Sequence, residues 1–213
     1  FEGYNYYWAL GYQNGKHDFQ FTITGAPQWH NQRSSFITIA NYIKYGGVNG
    51  GDPNRKYNAD WGLLNGEEYS MRRNYYHKPV MSLNWDWNIS SASKLNTVVY
   101  ASFGRGGGTG DTGSVGGKNF SNAAWRLPDG TANFDAIYAA NAASTPTAGV
   151  LVRRASINSH NWFGIISSFN QKINDNLKLT AGIDGRYYYG YHYQVGSDFL
   201  GATGFRDTTN KNA

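Results

Sequence analysis

The sequence predicts an all-β protein, namely a segment of an antiparallel transmembrane β-barrel with long extracellular loops. Three observations lead to this prediction: apolar and polar residues alternate along several segments, short and long connections alternate between them, and aromatic residues collect at their ends. Aromatic residues make up 16% of the 213 residues and 27 residues are glycine, which favours strands and turns. The absence of cysteine excludes a disulfide framework.

Alternation with a period of two defines three predicted hairpins, or six strands. The second is the most regular, because Leu83 and Trp85 fall on one face of a strand and Asn84 and Asp86 on the other. The Asn14-Gly15 pair is a strong turn signal within the first hairpin. The three hairpins are predicted over about residues 4–24, 80–103 and 161–193.

The connections alternate in length. Tight turns close each hairpin, whereas long loops are predicted over residues 25–77 and 104–160, with short helices over 34–45, where Ser34 or Ser35 is the expected N-cap, and 133–143. Outer-membrane barrels have short periplasmic turns and long outer loops. Six strands are fewer than the roughly eight that close the smallest such barrels. We therefore expect one partial β-barrel domain over residues 1–213, completed by further strands to a wide barrel of about 22.

Aromatic residues at the strand ends distinguish this prediction from its main alternative, a soluble β-sandwich, which also alternates. Tyr75 and Tyr76 precede the second hairpin, Trp85 and Trp87 lie near its turn, and tyrosines crowd the end of the last strand around Tyr189. The two groups are typical of the aromatic girdles of a membrane barrel. Predicted strands of about ten residues also exceed the usual length in soluble sheets.

Charge and motifs indicate neither an enzyme nor a nucleic-acid-binding protein. The net charge of +5 is scattered rather than gathered in a basic stripe, although slightly basic loops would attract anions. Residues 108–113 match a dinucleotide fingerprint, but no amphipathic helix follows them, so a flexible outer loop is expected. Glu67 and Glu68 lack a nucleophile and base, and the five histidines form no metal motif. We expect no catalytic residue, metal or cofactor.

Six segments carry a resemblance to a known family. They are residues 25–33 (GAPQWHNQR), 65–69 (NGEEY), 74–79 (NYYHKP), 83–89 (LNWDWNI), 100–110 (YASFGRGGGTG) and 182–188 (GIDGRYY). Together they resemble the barrel region of TonB-dependent receptors of the Bacteroidetes type. The resemblance extends over almost the whole chain, but the family's plug and TonB-box motifs are absent from the sequence. Coupling to TonB is therefore inferred from the barrel similarity.

The resemblance implies a location in the cell outer membrane and a role in transport. Such receptors have a 22-stranded barrel around an N-terminal plug and take up large nutrients such as ferric siderophores, cobalamin, oligosaccharides or peptides. The implied partners are the remainder of the barrel and its plug, the TonB complex, a surface lid lipoprotein and outer-membrane lipid, with no nucleic acid. Two other functions stay open: a secreted carbohydrate-binding β-sandwich, and a barrel that serves as a scaffold in an outer-membrane assembly without transport.

Eight residues in or beside the long loops are candidate ligand contacts. Arginines suit anionic groups, and aromatic rings suit sugar rings or planar chelates. The candidates are Arg72, Arg73, Tyr75, Tyr76, Arg105, Trp125, Arg153 and Arg154.

Overall fold

A computed structural model describes residues 1–33, 37–46 and 52–208. Strands account for 57% of the chain and helices for 9%, and the main sheet is antiparallel, which confirms the prediction of an all-β protein. The strands are β1 (Glu2–Gly3), β2 (Tyr6–Asn14), β3 (His17–Gly25), β4 (Gln28–Asn31), β5 (Trp61–Leu64), β6 (Glu67–Ser70), β7 (Arg73–His77), β8 (Val80–Asn88), β9 (Ser93–Gly113), β10 (Ala132–Asn133), β11 (Leu151–Lys172) and β12 (Lys178–Asp198). The helices are α1 (Ile39–Lys44), a 3₁₀ turn (Ala123–Trp125) and α2 (Phe134–Ala142).

The main sheet has nine strands. Its hydrogen-bonded order is β1-β4-β7-β9-β8-β3-β2, and β11 pairs with both β9 and β12. The three predicted hairpins correspond to β2–β3, β8–β9 and β11–β12. Gly15, which follows Asn14 in the first turn, has a φ of 56°, the left-handed conformation that this tight turn requires.

The two connections predicted as long loops contain much regular structure. The described part of the first, residues 25–77, contains β4 to β7 and α1. The second, residues 104–160, contains the end of β9, the 3₁₀ turn, β10, α2 and the start of β11. Residues 108–113 belong to β9, so the expected flexible loop there is wrong. Strands β9, β11 and β12 run for 21, 22 and 21 residues, about twice the predicted length.

The chain divides into two compact units. Unit 1 consists of residues 1–29, 75–106 and 158–192. Unit 2 consists of the described residues within 30–74, 107–157 and 193–213. Strands β9, β11 and β12 contribute residues to both units.

Unit 2 contains a three-stranded sheet in the order β10-β5-β6. Strands β5 and β6 form a hairpin, and its turn residues Asn65 and Gly66 both have positive φ angles, 52° and 82°, as expected for an Asn-Gly turn. Helix α2 is capped by the Asn133 side chain, which accepts a hydrogen bond from the Ala136 amide. The N-cap of α1 is Thr38, and the serines predicted for that role lie outside the described residues.

Unit 2 also holds the hydrophobic core. Its fully buried side chains include Met71, Phe134, Ile137, Leu151 and Leu200. Side chains from β11, α2 and the segments beside β6 and β12 thus pack together, as in an ordinary globular domain.

Candidate functional site

One face of the sheet in unit 1 is apolar across neighbouring strands. Leu83 of β8 lies opposite Phe21 of β3 on one side and opposite Val99 of β9 on the other. Leu10 of β2 extends the same row, because it lies opposite Phe21. Leu10 is 58% exposed, Leu83 43% and Val99 48%, so the described residues leave this face uncovered. An exposed apolar surface of this extent is typical of contact with an apolar partner or medium.

The opposite face of the same strands is polar. The hydroxyl groups of Thr22 and Ser82 are hydrogen-bonded at 2.8 Å across β3 and β8. The Lys94 ammonium donates to the Asp86 carboxylate at 2.9 Å across β8 and β9. The period-two alternation of the sequence therefore produces a sheet with one apolar and one polar face.

Aromatic side chains mark both ends of the apolar face. Near the short turns, four rings stack at centroid distances of 5.5–6.2 Å, and the Phe19 and Trp85 planes differ by only 2°. These rings belong to His17, Phe19, Trp85 and Trp87. At the other end, the Tyr189 and Tyr191 rings are 4.9 Å apart.

Three predicted ligand contacts lie together in unit 1. Tyr75, Tyr76 and Arg105 line one groove of about 410 Å³. The Arg105 guanidinium donates to the Asn161 side-chain oxygen at 3.0 Å and lies 5.6 Å from the centre of the Tyr191 ring. This part of the molecule thus combines half-buried aromatic rings with one cation.

A fourth predicted contact, Arg72, lines a cavity in unit 2. Its guanidinium pairs with the carboxylates of Asp60 at 3.3 Å and Asp111 at 3.4 Å. The cavity has a volume of about 440 Å³ and is also lined by Tyr57 and Arg126. The cavity is lined by cationic hydrogen-bond donors and anionic hydrogen-bond acceptors. It therefore suits a polar ligand with several hydrogen-bonding groups.

Two of these cavity residues are held by backbone oxygens. Arg126 donates to the carbonyl oxygens of Ala59 and Phe120, the latter at 2.8 Å. The Tyr57 hydroxyl donates to the Gly130 carbonyl at 3.0 Å. Burial lowers the pKa of Arg126 and raises that of Tyr57, so the environment penalises the charged form of each. Both side chains are therefore fixed before any ligand enters.

The predicted contact Arg153 is instead part of the packing of unit 2. Its guanidinium lies 4.6 Å from the centre of the Tyr69 ring and donates to the Ser70 carbonyl at 3.0 Å. Only 13% of its side chain is exposed, and its NH2 group lies 3.9 Å from the Asp198 carboxylate. A ligand would have to break these contacts to reach it.

The remaining three candidates have different surroundings. The Arg73 guanidinium donates to the Asn31 side chain at 3.4 Å. Arg154 donates to the Ser156 hydroxyl. Trp125 is only 7% exposed and belongs to the hydrophobic core. Its ring contributes apolar packing, as aromatic residues in loops often do once the loop folds.

Sequence reasoning missed most of the cavity in unit 2. Asp60 and Asp111 both pair with Arg72, although they are 51 positions apart along the chain. Asp111 lies in the glycine-rich segment that was predicted to be a loop, and Tyr57 and Arg126 carry no local motif. The slight excess of basic over acidic residues in the two long connections was the one available signal.

Among the described residues, no group of three or more His, Cys, Asp or Glu side chains is arranged to hold a metal ion. No helix in the described part of the chain is long and apolar enough to cross a membrane. No protein-family model matches the sequence, and neither a curated protein nor a solved structure matches the chain.

Proposed function

We propose that the chain forms part of the wall of a transmembrane β-barrel in the outer membrane, and that the barrel belongs to a TonB-dependent receptor. The observation that carries the proposal is the uncovered apolar row of Leu10, Phe21, Leu83 and Val99, which crosses four paired strands. In water such a face is unfavourable, whereas against acyl chains it needs no covering element.

The polar face supports the same proposal. In a barrel it would face the lumen, where water, a plug and passing solutes meet side chains such as those of Asp86 and Lys94. The stacked rings around Trp85 and the tyrosines around Tyr189 would lie at the two membrane interfaces. The short turns would then face the periplasm and the long connections the outside.

In this proposal the long connections capture the ligand. The cavity around Arg72 offers polar contacts for a large nutrient such as a ferric siderophore, an oligosaccharide or a peptide. Energy for uptake would come from the TonB complex acting on a plug, and a surface lid lipoprotein would close over the ligand. This part of the proposal is supported by the resemblance of the barrel segments alone.

The carbohydrate-binding sandwich is less well supported. A sandwich covers its apolar face with a second sheet, whereas Leu83 and Val99 remain 43% and 48% exposed in the described structure. Some tryptophans are exposed enough to stack on sugar rings; the side chain of Trp8, for example, is 51% exposed. Trp8, however, belongs to the same apolar face as Leu10.

Two adjacent valines of β9 test the membrane wall. Val99 lies opposite Leu83 on the apolar face, and Val98 lies opposite Asn84 on the polar face. The purified chain would be mixed with phospholipid vesicles and floated on a density gradient. We expect the unchanged chain and Val98→Arg to float with the vesicles, and Val99→Arg to lose this association, because arginine on a lipid-facing strand costs about 2–4 kcal/mol at the bilayer midplane.

Two results would contradict the proposal. A chain that stays monomeric without detergent and does not float with vesicles would favour the secreted sandwich. Equal flotation of the Val98→Arg and Val99→Arg variants would show that the apolar face does not contact lipid.

A further inference from the structure

The apolar face of unit 1 contains a groove of about 610 Å³. Small residues leave the space: Ala101 on β9 and Gly185 on β12 contribute little or no side chain to it. Larger side chains border it, namely Phe21, Leu83, Phe163 and Tyr187. The groove therefore continues the apolar face as a shallow, open depression along which a narrow apolar chain can lie.

One cation lies beyond the end of this groove. Arg105 is on the same strand as Ala101, four residues or roughly 13 Å further along. Four is an even number, so both side chains belong to the same face of the sheet. The groove and Arg105 are separated by the contact between the Phe103 and Phe163 rings, whose centroids are 5.5 Å apart.

Arg105 is oriented for an anion. It is exposed, and its guanidinium is positioned by the Asn161 side chain, the His160 carbonyl and the Tyr191 ring. No carboxylate forms an ion pair with it among the described residues. Its charge is thus available at the aromatic end of the face, where headgroups would lie.

We propose that the groove binds one acyl chain of an anionic membrane lipid, whose phosphate is held by Arg105. The proposal rests on the membrane-wall function and adds a specific ligand to it. The groove supplies apolar contact for the chain, and Arg105 supplies the charge-assisted hydrogen bonds that a phosphate accepts. The occupant is a lipid because the apolar groove and the cation lie in line on one face.

The test is native mass spectrometry of the chain released from vesicles of phosphatidylglycerol and phosphatidylcholine in equal amounts. Gly185→Leu fills the groove, and space exists for it because the nearest atom to an added Cβ is Ile165 Cγ2 at 3.5 Å. Ala181→Leu is the matched control on the same face of β12, since residue 181 lies outside the groove. Arg105→Gln removes the charge alone.

We expect the unchanged chain and Ala181→Leu to retain one phosphatidylglycerol. Gly185→Leu should reduce the retained lipid about tenfold, the loss expected when roughly two buried methylene groups are displaced. Arg105→Gln should retain both lipids equally, because only the headgroup preference depends on the guanidinium.

The outcomes separate this inference from the function on which it rests. If all variants insert into vesicles but Gly185→Leu and Ala181→Leu retain equal lipid, the groove site is wrong and the membrane wall stands. A lipid-free dimer would mean that a second copy covers the groove. If the unchanged chain ignores vesicles altogether, both proposals fail.

Discussion

The two units of this chain differ in how far they bury their apolar side chains. Unit 2 surrounds Phe134 completely, with no exposed surface, whereas Phe163 in unit 1 remains 39% exposed on a sheet face. Unit 2 is therefore stabilised by its own core, as a soluble domain is. Unit 1 instead leaves large apolar side chains exposed on one face of its sheet.

The largest expected difference comes from the same substitution in each unit. Phe134→Ala should destabilise unit 2 by about 3–5 kcal/mol, because it leaves a cavity beside the Tyr69 and Phe120 rings. Phe163→Ala should cost less than about 1 kcal/mol in detergent micelles, since acyl chains can fill the space that the ring leaves. Hydrogen exchange read by mass spectrometry gives the opening free energy of each unit separately.

Similar costs for the two substitutions would show that Phe163 is buried against protein in solution. In that case the apolar face has a proteinaceous partner, and the membrane wall would be wrong.

A buried amide provides the next largest effect. The Asn141 side chain donates to the carbonyls of Leu151 and Leu200 at 2.7 and 3.0 Å and accepts from the Leu151 amide at 2.9 Å. Asn141→Ala leaves these buried backbone groups without that partner, so we expect a loss of about 3 kcal/mol in unit 2. The exposed Asn119→Ala is the control and should change stability by less than about 0.5 kcal/mol.

The amide exchange of unit 1 should not respond to Asn141→Ala, because every partner of that side chain belongs to unit 2. A parallel loss of protection in both units would mean that they unfold as one cooperative body with a single free energy of unfolding.

The sheet of unit 1 was predictable from sequence because its signals are local. Alternation over residues 81–89 and the Asn14-Gly15 turn depend on neighbours in the chain, and the structure has β8 and the β2–β3 hairpin there. The face on which a side chain lies also follows from its position alone, because successive residues of a strand point to opposite faces. Leu83 and Asn84 are therefore predicted to lie on opposite faces of the sheet.

In unit 2 the same reasoning reached only the helices predicted over residues 34–45 and 133–143, which contain α1 and α2. The strands of unit 2 are short, and its core joins Met71, Phe134, Leu151 and Leu200, which are distant in sequence and show no common period. The cavity around Arg72 likewise depends on long-range pairing with Asp60 and Asp111. Local sequence patterns predict loops for such segments because tertiary packing, rather than local preference, makes them regular.

The smallest effect concerns Tyr69, whose hydroxyl donates to the Asp198 carboxylate at 3.0 Å. Burial is the main cause that raises its pKa; Asp198 adds to the increase, and the nearby Arg153 cation opposes it. Removing the hydrogen bond by Tyr69→Phe should cost unit 2 about 1 kcal/mol at neutral pH.

The pH dependence of this contribution has a definite sign. The neutral phenol is favoured in the folded state, so its contribution is fully present below the ordinary tyrosine pKa of about 10 and is lost as pH rises through the higher folded value. Above pH 10, the stability of the unchanged unit 2 should therefore fall relative to Tyr69→Phe by up to about 1.4 kcal/mol per pH unit. Parallel stability curves for the unchanged chain and Tyr69→Phe between pH 8 and 12 would mean that the phenol is solvated, and that the Tyr69–Arg153–Asp198 contacts open in solution.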